Sequence, residues 1–166
     1  MTGLKKLSQA AVPGALAKVE RYRLLNEPWE AESICRDVLD ADPENHEATI
    51  SLILALSDQF ASESGAHFDE AAKLIARLAS EFERAYYTGI LLERRGKASF
   101  ERGTPSSGHV AHGWLIQAME WYEKAEALQP AGKQDATLRW NTCLRMMRKH
   151  ASIRPDDREH SESMLE

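Results

Sequence analysis

Residues 28–43 read PWEAESICRDVLDADP. Proline heads the stretch, where a missing N–H costs a helix nothing, and proline closes it, where a helix cannot continue. Between them Ala31, Cys35 and Val38 recur at helical spacing, so an amphipathic helix over 28–41 is predicted. The offsets zero, four, seven and twelve of Ala31, Cys35, Val38 and Pro43 return in Ala118, Tyr122, Ala125 and Pro130. Ala71, Ile75 and Leu78 keep the first three offsets, with Glu83 where proline is expected. A pattern that recurs along a chain marks a stack of similar helical units, and it has to be tested before any single-core bundle is considered.

Working outward, the same periodicity predicts helices over 13–26, 44–59, 68–80, 82–102, 112–128 and 133–151. Asn26 and Glu27 make the first turn, and residues 62–65 make another. The segment 103–113 is too rich in Gly, Ser and Pro to continue a helix and reads as an inserted loop. Alternating β-branched runs and Asn-Gly or Asp-Gly turns are missing, so the fold class is all-α.

The recurring small, bulky, small positions followed by proline resemble the tetratricopeptide repeat family, and residues 12–45 fit one uninterrupted unit. The resemblance extends over 12–151. It implies a right-handed superhelical stack of three helix pairs, 12–45, 46–81 and 82–131, with 133–151 as the capping helix that such arrays require. Residues 1–11 are then an N-terminal extension and 152–166 an acidic, mobile tail. Pairs two and three depart from the pattern, because extra residues separate their helices.

In such arrays the first helix of each pair lines a concave side where partners lie. Carried over residue by residue, the resemblance places Leu16 and Glu20, Ile50 and Leu54, and Tyr86 and Ile90 on that side, with Arg94 a turn further on. This stripe suits an amphipathic helix or an extended apolar peptide. Family members that hold carboxylate-terminated chaperone tails use a clamp of Lys, Asn and Arg. Here the corresponding places are Leu16, Glu20, Ser51, Glu83 and Tyr87, so docking of that kind is disfavoured. Two basic strips, Arg94, Arg95, Lys97 and Arg102, and Arg139, Arg145, Arg148 and Lys149, read as solvated faces or as rims that steer an anionic protein partner.

The 166 residues suffice for one packed domain, and a net charge of −5 argues against a surface built to bind nucleic acid. Cys35 and Cys143 each lie inside an apolar-periodic stretch and read as reduced core residues rather than a disulfide or zinc pair. The apolar run behind Lys5 and Lys6 is interrupted by Ser8, Gln9, Pro13 and Gly14, Thr2 does not suit N-myristoylation, and no run approaches the roughly 20 apolar residues of a membrane span. These features point to a cytoplasmic protein without membrane insertion.

Nucleophile and phosphate-loop signatures are missing, which argues against an enzyme. The resemblance implies a non-enzymatic protein-interaction module without cofactor or metal, an adaptor or assembly subunit of a bacterial complex. The alternative is a small metal- or ligand-binding enzyme subunit built on the loop histidines His67, His109 and His112, although these lack the spacing of a zinc site. Self-association through an end of the stack is a further option. Trp29, Trp114, Trp121 and Trp140 are expected in the core, and Phe100 and Trp114 flank the inserted loop as its anchors.

Overall fold

Pro28 opens a helix that closes at Ala41, and the left-handed backbone of Asn26, at φ 58°, turns the chain into it. The computed structural model describes residues 3–62 and 65–156. Regular structure among these is entirely helical: a short 3-10 turn at Gln9–Ala11, then α1 (Val12–Leu24), α2 (Pro28–Ala41), α3 (His46–Ser57), α4 (Ala66–Ala76), α5 (Glu81–Glu101), α6 (Ser107–Leu128) and α7 (Asp135–Lys149). None of these helices is long and apolar enough to cross a membrane. The chain divides into two compact units, 1–74 and 75–166.

In the first unit α2 packs on both α1 and α3, and α1 also touches α3. Val12, Val38 and Ala48 form a core cluster that takes in Leu7, so the N-terminal extension is folded onto the unit. At the opposite end the Arg23 guanidinium donates to Asp58 at 2.8 Å. Val12 and Arg23 thus meet Ala48 and Asp58 in the same order, which makes α1 and α3 parallel with α2 antiparallel beside them. Asn45 caps α3 by accepting from the Ala48 N–H at 2.9 Å. The tie from α2 to α4 is ionic: Arg36 donates to both oxygens of Glu70 at 2.9 Å and to Glu32 at 2.7 Å. Gln59 completes the shell of the buried Glu32 carboxylate at 2.7 Å. The Arg36 hydrogen bond holds the Glu70 carboxyl below its ordinary value of 4.5.

The second unit repeats the order. α6 packs on α5 and on α7. Ser80 caps α5 through the Glu83 N–H at 3.2 Å, and Gly103, at φ 65°, ends the helix. A Cβ on Gly89 would stand 2.5 Å from the Tyr122 ring, so glycine lets the bulky residue of α6 seat directly against α5. The residues that carried the sequence pattern, Ala31, Cys35 and Val38, Ala71, Ile75 and Leu78, and Ala118, Tyr122 and Ala125, are all buried.

Four expectations are corrected. The inserted loop is shorter than 103–113, because α6 begins at Ser107. Its start is organised by Thr104, whose N–H donates to the Ser107 hydroxyl at 2.9 Å. Gly108 is helical and small because the Ser152 carbonyl would lie 2.0 Å from a Cβ there. His109 and His112 therefore sit on α6, and His67 on α4, rather than in loops. The start of the expected tail is docked: Ile153 is buried, and Nδ1 of His109 lies 2.9 Å from the Arg154 carbonyl oxygen. The rest of that tail, 157–166, lies outside the described residues, as do Thr2 and the middle of the 62–65 turn. Finally, Trp29 is 65% exposed, and Trp114, Trp121 and Trp140 are only partly covered.

Candidate functional site

The run Gly89–Ile90–Leu91–Leu92 on α5 ends in Glu93, a carboxylate only 1% exposed. A buried charge persists only where partners replace its water. The Tyr122 hydroxyl of α6 donates to it at 2.6 Å, Arg139 of α7 approaches at 3.4 Å, and Lys97, one turn along α5, forms a short contact. Burial together with the Glu93 charge raises the Tyr122 phenol far above its ordinary value. Burial opposes the charge on Arg139, but Glu93 and a hydrogen bond with Tyr86 outweigh it and raise that group. One carboxylate therefore joins all three helices of the unit.

Further along, the Phe100 ring meets His150 at a centroid distance of 4.9 Å. Glu93 pairs with Arg139 and Phe100 with His150, so α5 and α7 run in the same direction. Between those two crossings lies an open cleft of about 500 Å3, within the size range of ligand clefts. Phe100 and Met146 give it apolar surface, Lys97, Arg145 and Lys149 give it positive charge, and Glu101, Thr142 and His150 complete the lining. Lys97 belongs to both features, since its ammonium pairs with Glu93 while the side chain forms part of the cleft wall.

The expected partner-binding residues are distributed as follows. Leu16 packs against the Val12–Val38–Ala48 cluster, while Glu20, on the same helix, is exposed. Ile50 and Leu54, one turn apart on α3, are half-buried. Tyr86 is half-buried among aromatic rings, stacked on Phe82 at 5.6 Å and tilted to Tyr122 at 6.0 Å. Ile90 is 3% exposed and offers no open surface, and Arg94 is half-buried. Of the two basic strips, Lys97 from the first and Arg145 and Lys149 from the second converge on the cleft. Arg95 instead lies over the Trp114 ring at 5.4 Å. Glu93 was not singled out from sequence, although an acid ending a four-residue apolar run was its available signal.

Among the described residues no three His, Cys, Asp or Glu side chains come together as a metal site. His109 is engaged with the backbone of residues 154 and 155, and burial followed by the His109 charge lowers the titration of His112. No protein-family model, curated protein or solved structure matches the chain. Fold and site together define an all-α protein whose second unit presents a cationic, partly apolar cleft between two parallel helices.

Proposed function

We propose that the chain is a non-enzymatic helical-repeat adaptor of tetratricopeptide type, a cytoplasmic accessory or assembly subunit of a larger bacterial complex that holds a helix or peptide of another protein. The observation that carries this reading is the recurrence, in both units, of two parallel helices with an antiparallel one packed on both, and the open cleft this leaves between α5 and α7. In the repeat reading α1, α3 and α5 are first helices, α2, α4 and α6 second helices, and α7 the cap. A rigid helical frame with an apolar floor and a charged rim suits capture of a peptide more than chemistry upon it.

The test compares capture of partners from the native cell by the intact chain and by the variants Leu54→Glu, Met146→Glu and, as an exposed control, Lys133→Glu. A specific partner lost with Leu54→Glu or Met146→Glu and kept with Lys133→Glu is the expected result. A partner kept at full strength by all three overturns the reading.

A further inference from the structure

The geometry points to an acidic peptide with apolar anchor residues, contributed by another protein, as the occupant of the α5–α7 cleft; this rests on the adaptor reading and gives it a partner chemistry. The cleft lining carries three cations, Lys97, Arg145 and Lys149, against one acid, Glu101. Lys97 is neutralised by Glu93 beneath it. Arg145 and Lys149 are exposed, and neither has a carboxylate within pairing distance among the described residues. Lys149 also complements the C-terminal end of α7, whereas Arg145 lies a turn earlier, where that effect has faded.

This local charge is opposite in sign to the chain as a whole, whose net charge is −5. A polyanion such as RNA would meet repulsion from the remainder of the surface. A short acidic segment confined to the cleft meets a lining in which cations outnumber the single acid, Glu101. Phe100 and Met146 supply what charge alone lacks, an apolar floor for one or two side chains, with methionine adapting its shape to them. The cations at the rim then steer and orient the segment, and the floor holds it.

The experiment selects a displayed random-peptide library on the full chain, with counter-selection on the double variant Arg145→Glu/Lys149→Glu. Circular dichroism of the variant confirms its fold. Enriched peptides that are acidic around apolar anchors, and that bind at least about tenfold more weakly to the double variant and to Met146→Glu, support the inference. Neutral or basic peptides, or acidic ones indifferent to these substitutions, overturn it. Binding that appears only in a chain ending at Asp156 assigns the cleft to residues 157–166 of the same chain, and self-association lost with Met146→Glu assigns it to a second copy; either overturns it. Peptides that depend on Leu54 rather than Arg145 leave the adaptor reading standing while this inference falls. Enrichment on no face at all removes both.

Discussion

The hydroxyl of Tyr122 donates to the buried carboxylate of Glu93 at 2.6 Å, from the helix that packs on both of its neighbours. This bond joins α5 to α6 at the level where Arg139 brings in α7. Removing the hydroxyl alone, as in Tyr122→Phe, keeps the ring against Gly89 and leaves one carboxylate oxygen without its donor. The expected cost is about 1–3 kcal/mol in chemical denaturation. In a double-mutant cycle with Glu93→Gln the two losses are non-additive, because both act on one interaction. A null effect of Tyr122→Phe would mean that the carboxylate does not depend on this bond.

The glycines of the helices divide by what a methyl group would meet. Gly108→Ala would collide with the Ser152 carbonyl, and Gly89→Ala with the Tyr122 ring. Both are expected to lower stability by about 1–3 kcal/mol. Gly113→Ala and Gly14→Ala face open space within α6 and α1, and each is expected to raise stability by about 0.5–1 kcal/mol. Thermal melts of the four variants check the ordering, and a destabilising Gly113→Ala would contradict the placement of α6.

Acid acts on the first unit through Glu70. Its carboxyl titrates lower in the folded chain than its ordinary 4.5, so the unfolded chain binds that proton more readily. The Arg36–Glu70 pair therefore contributes fully above pH 4.5, and the contribution disappears as pH falls through the lowered folded value. Both side chains are more than a third exposed, so the effect is small and salt-sensitive. Melting temperatures of the native chain and Glu70→Gln should differ by a constant amount between neutral pH and about 5, then converge as the pH falls further. A gap that widens on acidification would contradict the pair.

Both cysteines are buried, and burial pushes each thiol up to about 12. Neither should react with a disulfide reagent at pH 8 in the folded chain, and both should react once it is denatured. Fast labelling under native conditions would place Cys35 or Cys143 nearer the surface than described.

The helical content was legible in the sequence because the signals are local. Pro28 and Pro43 bracket α2, and the predicted 28–41 coincides with Pro28–Ala41. The start of α6 was not legible, because Ser107, Gly108 and Gly113 look like loop residues until the Ser152 backbone and the Thr104 turn are seen. Burial of Ile90 and exposure of Trp29 are set by packing, which residue type alone does not fix. The cleft was half legible: its cations stood out as two separate strips, but their convergence depends on α5 and α7 lying parallel. Glu93 escaped notice because an acid within a helix ordinarily marks a solvated face, and only its three donors reveal otherwise.

The most direct measurement is a map of backbone amide shifts in the isotopically labelled full chain as a peptide selected on it is added. Saturable shifts are expected on the last two turns of α5 and from Thr142 of α7 to its C-cap His150. Shifts confined to another surface, such as the α1–α2 turn beside the exposed Trp29, would contradict it.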